Sequence, residues 1–229
     1  MKKLFTPVAI AIAFLSLSFT SVDPLAIGST IPKADKKLRD VSGKEISLKE
    51  AMNINGLLVM FSCNTCPYVV KNQNRTHAIC NYAQKNSIGV VVLNSNEGNR
   101  DSEDSFDAMK KYASAQQYNW KYAVDDNNEL ANAFGASRTP ECFLFDKNMK
   151  LVYHGAIDNN PADEHNVSRK HLQIAMDEMV SGKDVSVKET KSVGCVLNVK
   201  ARLLVNGLSL ILSMVNSQFL INLQFIGHH

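Results

Sequence analysis

The chain has 229 residues, 45% of them apolar, and a formal charge of +3. That length buries one sizeable core and leaves little for a second independent domain. The small charge, part of it on Lys2 and Lys3, argues against a nucleic-acid partner.

Lys2 and Lys3 precede an uncharged, mostly apolar run from Leu4 to Phe19, which gives way to small and polar residues and then to Asp23 and Pro24. This is the layout of a secretory signal, and residues 1–21 are read as one. The run is shorter than the roughly 20 apolar residues of a spanning helix, and serines and threonines dilute it. No cysteine lies in this segment to carry a lipid. Export implies a periplasmic or otherwise extracytoplasmic compartment, where disulfides persist. Five cysteines follow, Cys63, Cys66, Cys80, Cys142 and Cys195, and an odd count leaves at least one thiol unpaired within a monomer.

Ile46 to Glu50 read as the approach to a buried strand at Leu57 to Phe61. From residue 66 to 86, Val69, Val70, Ile79, Tyr82 and Ala83 recur at helical spacing, and Gly89 to Leu93 is again a continuous β-branched run. Two buried strands joined by a helix make a parallel, right-handed unit. Phe106, Met109, Tyr112 and Ala113 mark a second helix, and Glu129 to Phe134 a short third. Cys142 to Phe145 and Leu151 to Tyr153 flank a polar turn, as in an antiparallel hairpin, and Leu172, Ala175, Met176 and Met179 line a last helix. The expected architecture is α/β, a mixed central sheet flanked by helices, over residues 25–187. A polar tail at 188–202 carries Cys195, and 203–229 forms an apolar tail.

Cys63-Asn64-Thr65-Cys66 falls where a strand turns into a helix. Unpaired amides and the positive end of the helix dipole favour a thiolate there and lower the cysteine pKa. Two cysteines three residues apart on one turn can also bond with little backbone movement. Pro67 suits the first helical turn, whose amide has no carbonyl partner to lose. A structural disulfide or half of a zinc site are the alternatives, and no second Cys-x-x-Cys supplies the other half. Cys80 and Cys142 are expected in the core. His77 and Cys80 share a helix face, but two ligands do not make a metal site. Thr139-Pro140 reads as an ordinary proline at a strand start.

The ordered set Ile27-Gly28-Ser29, Asp40-Val41-Ser42-Gly43-Lys44, Phe61 to Val69, Leu93 to Asn96, Glu103 to Phe106, Phe134-Gly135-Ala136, Arg138 to Glu141 and Gly155 to Asp158 resembles the thioredoxin superfamily. More narrowly it is similar to the redoxin branch, grouped with alkyl hydroperoxide reductase and thiol-specific antioxidant proteins. This resemblance implies a thioredoxin-like fold. It further implies a cis Pro140 beside the cysteines and a Thr139 backbone placed to pair with a bound substrate strand or thiol. It departs from thioredoxin in having Leu57 where that protein carries a buried acid, and Ser62 in place of its tryptophan. A peroxiredoxin would place a threonine where Cys63 precedes Cys66, so peroxide reduction, with Arg138 assisting at Cys66, is the minority reading. The branch commonly ends in Gly-Cys, which makes Cys195 a candidate for exchange with Cys63 or Cys66.

The expected activity is thiol–disulfide exchange. Cys63, as thiolate, attacks a disulfide-bearing protein or a small thiol's disulfide, Cys66 closes the ring, and an external thiol reductant restores the pair. No cofactor is called for. A copper carrier on the same fold is the competing class.

Residues 203–227 carry no charge, yet contain Asn206, Asn216, Gln218, Asn222 and Gln224, each costly in hydrocarbon. Membrane contact follows only if this tail is genuine. Val196 to Lys200 can be written GTA TTA AAC GTA AAG, and one frame over this contains ATT AAA CGT AAA, or Ile-Lys-Arg-Lys, close to the branch's ending. One base lost just after the Cys195 codon would produce the tail. Resequencing the gene is expected to find codons compatible with that second frame, and incompatible codons exclude the frameshift.

Overall fold

The computed structural model describes residues 23–197, so the expected export signal and the apolar tail both lie outside the described residues. Strand β1 (Leu38–Arg39) pairs with β2 (Glu45–Ile46), and helix α1 (Leu48–Ala51) follows at once. Ser47 starts α1 through a reciprocal cap: its hydroxyl accepts from the Glu50 amide while the Glu50 carboxylate accepts from the Ser47 amide. The stretch read as an approach to a strand is therefore a tiny hairpin and one helical turn.

The main sheet is built from β3 (Leu57–Ser62), β4 (Gly89–Asn94), β5 (Lys121–Val124), β7 (Glu141–Phe145) and β8 (Leu151–Gly155), in the spatial order β5-β4-β3-β7-β8. β3 runs parallel to β4, and β4 to β5, whereas β7 lies antiparallel to both β3 and β8. This mixed sheet is the thioredoxin-like arrangement that the resemblance implied. β3 and β4 are buried at every residue, because helices cover both faces, and this accounts for their unbroken apolar sequences.

Alternation along the strands divides the core in two. Leu58, Met60, Val92 and Leu144 face α3 (Gln73–Lys85), α4 (Phe106–Ala115) and α6 (His171–Val180). Leu57, Val59, Phe61 and Phe143 face α1 and α5 (Glu129–Phe134) on the other side. The helix expected from 66 to 86 divides at Asn72 into α2 (Pro67–Lys71) and α3, with the Asn72 side-chain amide donating to the Tyr68 carbonyl at 2.6 Å. Gly89 opens β4 against α1 so closely that a Cβ there would stand 1.9 Å from the Ala51 carbonyl oxygen. Among the described residues no helix is long and apolar enough to cross a membrane.

A second, two-stranded sheet joins β6 (Arg138–Thr139) to β9 (Cys195–Val196), antiparallel, with Thr139 opposite Cys195. The segment read as a polar tail is thus laid against the body of the fold. The His154 amide donates to the Lys188 carbonyl, the Thr190 amide to the His154 carbonyl, and Leu197 is 3% exposed in the core.

Phe134 meets Phe61, Phe143 and Phe145 edge-on, with ring centroids 5.1 to 5.7 Å apart. Truncating it empties the middle of that half of the core. Phe134→Ala is expected to lower the unfolding free energy by about 3–5 kcal/mol in a urea titration, and a loss under about 1 kcal/mol would show that this cluster repacks freely.

Candidate redox site

β3 ends at Ser62, and Cys66 stands at the head of α2 with Pro67 in its first turn, as expected. Cys63 and Cys66 are 3% and 4% exposed and form a small cluster with Val69, against which Tyr68 and Cys195 pack. The Thr139-Pro140 bond is cis. The Thr139 hydroxyl lies 3.7 Å from the Cys63 sulfur, and its carbonyl oxygen 3.4 Å from the Cys66 sulfur. The latter is a packing contact, since Cys66 is bonded to Cys195 and holds no proton.

That disulfide, with Cα atoms 6.1 Å apart, leaves Cys63 free. A Cys63–Cys66 bond is the pairing that spacing alone favours, and register explains the difference. Pairing β9 with β6 puts Cys195 opposite Thr139, next to Cys66. The sulfurs open on a cavity of about 270 Å³ lined by Thr65, Asn96, Asn99 and Thr139.

With Cys66 bonded to Cys195, the surroundings of Cys63 shift its thiol up rather than down. Burial pushes its thiol above the ordinary range, the Asp104 charge adds to the rise, and the backbone groups at Cys66 and Thr65 with the Thr139 hydroxyl only partly offset them. Helix α2 is one short turn, so the amides at its head are outweighed by desolvation.

Asp104 is the site residue that motif reading missed. Fully buried, its carboxylate accepts from the Asn64 amide at 2.8 Å, from the Asn94 side chain at 2.6 Å and from the Asn96 side chain at 2.6 Å. The Tyr122 hydroxyl donates to the Asn64 side-chain oxygen at 2.7 Å, while Arg100 donates to the Asp104 and Asn94 carbonyls. The Cys-x-x-Cys turn is therefore anchored through its second residue to a buried polar network. Leu57, where thioredoxin has an acid, is plain core. The stretches Leu93 to Asn96 and Glu103 to Phe106 stood out by resemblance, without a role attached.

A second buried carboxylate, Glu141, holds the other wall. It accepts from the Ser137 and Arg138 amides at 2.7 and 2.9 Å and meets His154 Nε2 at 2.7 Å. Arg138 points its guanidinium toward the tail, 3.4 Å from the Gly194 carbonyl. Cys80 and Cys142 are fully buried, with thiols raised by desolvation, as their core placement predicts. His77 packs against Tyr118 and Trp120. Among the described residues no three His, Cys, Asp or Glu side chains gather as a metal site.

Because burial and the Asp104 charge both disfavour the thiolate, alkylation of Cys63 by iodoacetamide, with Cys66–Cys195 intact, should accelerate only above the ordinary thiol range of about pH 8.5. Asp104→Asn should move that rise to lower pH and cost about 1–3 kcal/mol of stability, since one carboxylate oxygen becomes an amide facing a donor. A rate already level below pH 8, mapped by peptide mass, contradicts the assignment.

Known proteins share this frame. The Redoxin family matches residues 26–170. Thiol-disulfide oxidoreductase ResA of Geobacillus thermodenitrificans (strain NG80-2) is 26% identical over 151 residues, which is 64% of this chain and 80% of the relative. The crystal structure of a hypothetical protein from Sinorhizobium meliloti 1021 superposes with a TM-score of 0.71 at 29% identity, covering 78% of this chain and 97% of the other. A thioredoxin-like protein solved in its oxidized form shares the fold at a TM-score of 0.52 and 16% identity, over 69% of this chain and 97% of its own. Its family match over more than half its length, its sheet and its cysteine-bearing turn agree: the chain belongs to the Redoxin family of thioredoxin-like oxidoreductases.

Proposed function

We propose that the protein is a thiol–disulfide oxidoreductase working in an extracytoplasmic compartment, with Cys63 and Cys66 as its exchanging pair and Thr139, Pro140 and Cys195 around them. One observation carries this reading: a formed disulfide, Cys66–Cys195, lies in the same small cluster as a third, reduced cysteine. Sulfurs so arranged can trade partners without the chain rearranging elsewhere. In the reduced protein the Cys63 thiolate attacks a substrate disulfide, expelling one substrate thiol and forming a mixed disulfide. Cys66 then attacks the Cys63 sulfur, frees the second thiol and closes Cys63–Cys66. An external thiol reductant returns both to thiols. Location outside the cytoplasm is supported by the charged-then-apolar N-terminal layout and by cysteines used in an oxidised form.

A second reading, thiol-dependent peroxide reduction, has its own support in the identity of the bonded cysteine. Peroxide oxidising Cys66 to a sulfenic acid, followed by condensation with the Cys195 thiol, yields water and the disulfide observed.

Reduction of a protein disulfide with dithiothreitol as donor tests the two. Cys63→Ser is expected to cut turnover by at least about a hundredfold. Unchanged turnover would remove Cys63 from the reaction. Loss of hydrogen peroxide that survives Cys63→Ser and vanishes in Cys66→Ser would establish peroxidase chemistry instead.

A further inference from the structure

Between α3 and α6 lies a second cavity, of about 500 Å³, which shares no lining residue with the one at the sulfurs. Its size is that of a small-molecule site. Ile79 and Tyr82 of α3, Ile157 after β8 and Val167 in the loop that follows give it apolar walls. The polypeptide fixes these walls by itself. Arg75 Nη1 donates to both Asp158 oxygens at 3.0 and 2.9 Å and to the Asn160 carbonyl at 2.8 Å, while Nη2 donates to the Pro161 carbonyl at 3.0 Å. The two side chains are 11% and 5% exposed, so their charges are spent on each other and on pinning the loop to α3. Asn159 closes the same loop, donating to the Ser168 hydroxyl at 2.7 Å and accepting from the Arg169 amide at 2.9 Å, and the Leu172 amide donates to the Ile157 carbonyl at 3.1 Å.

Two charges of opposite sign remain at the rim, on the exposed residues Glu164 and Lys170. Among the described residues neither forms an ion pair, and Glu164 accepts one hydrogen bond, from the Asn74 side chain at 3.3 Å. Lys170 stands at the start of α6, a helix of 10 residues whose first turn no side chain caps, so the positive end of its dipole adds to the amine. A carboxylate suits that end of the cavity, an ammonium suits Glu164, and a hydrocarbon body suits the walls. An anion alone is opposed by Glu164, and a cation alone by Lys170. We infer that this cavity binds a free α-amino acid with an apolar side chain, its carboxylate at Lys170 and the head of α6 and its ammonium at Glu164. The site is separate from the exchange chemistry, and neither reading depends on the other.

The test titrates the isotope-labelled full chain with four probes and follows backbone amide shifts by nuclear magnetic resonance. L-Phenylalanine carries all three groups, 3-phenylpropionate lacks the ammonium, phenethylamine lacks the carboxylate, and glycine lacks the apolar body. Phenylalanine should give saturable shifts at Ile157, Val167 and Gln173, and should bind at least about threefold more tightly than each of the other three. Lys170→Gln should erase its advantage over phenethylamine, and Glu164→Gln its advantage over 3-phenylpropionate. Both residues are exposed, so neither substitution disturbs the core. Absence of saturable shifts at these positions overturns the inference. So does any of the three partial probes binding as tightly as phenylalanine, or a preference that survives both substitutions.

Discussion

Three stretches of backbone meet at Thr139, and the site exists because they pack there. Its hydroxyl faces the Cys63 sulfur, its carbonyl touches the Cys66 sulfur and lies against Gly194, and Cys195 stands opposite it in the β6–β9 pair. No side chain could bring a strand end, a helix start and a distant tail to one point so economically. A backbone edge can, because it presents donors and acceptors at fixed intervals and tolerates little error in register.

What keeps that edge in place is buried charge. Glu141 satisfies two consecutive amides of the Ser137–Arg138 turn and ties them to His154 on β8, while Asp104 accepts from the Asn64 amide and ties that turn to the side chains of Asn94 and Asn96. Each carboxylate is buried and each has its oxygens occupied by donors, the condition under which a polar group inside a protein fixes geometry rather than weakening it. For Asp104 the arrangement has an electrostatic cost to the neighbouring thiol, because its charge opposes ionisation of Cys63. Rigid placement of the turn and ready ionisation of its first sulfur are in conflict here, and in the disulfide-bonded state placement prevails.

Much of this was legible beforehand. β3, β4, β7 and β8 announced themselves as continuous apolar runs because both faces of the sheet are covered, and the parallel-then-antiparallel order followed from the helix-length and turn-length connections between them. β5 was not legible: four residues beginning with a lysine carry too little pattern, and burial comes from their neighbours. The break at Asn72 has neither glycine nor proline to mark it, only an asparagine whose amide turns back on the chain. The Ser47-x-x-Glu50 cap, by contrast, was a readable helix signal that the strand reading passed over. At the site, Cys63 and Cys66 stood out as residue types and Pro140 only through the family resemblance, whereas Asp104 and Glu141 look like ordinary loop and strand acids until the fold surrounds them. Cys66 rather than Cys63 as the partner of Cys195 depends on a two-residue register, which no local spacing encodes.

The Cys66–Cys195 bond joins residues 129 positions apart, so it threads most of the described chain into a single covalent ring. Closing a ring of that size withdraws conformational freedom from the denatured chain, on the order of 4–5 kcal/mol in the chain-entropy account. Thermodynamic reciprocity then makes the folded body a clamp on its own oxidation state: whatever resilience the cross-link lends the fold, the fold returns as reluctance to let the two sulfurs part.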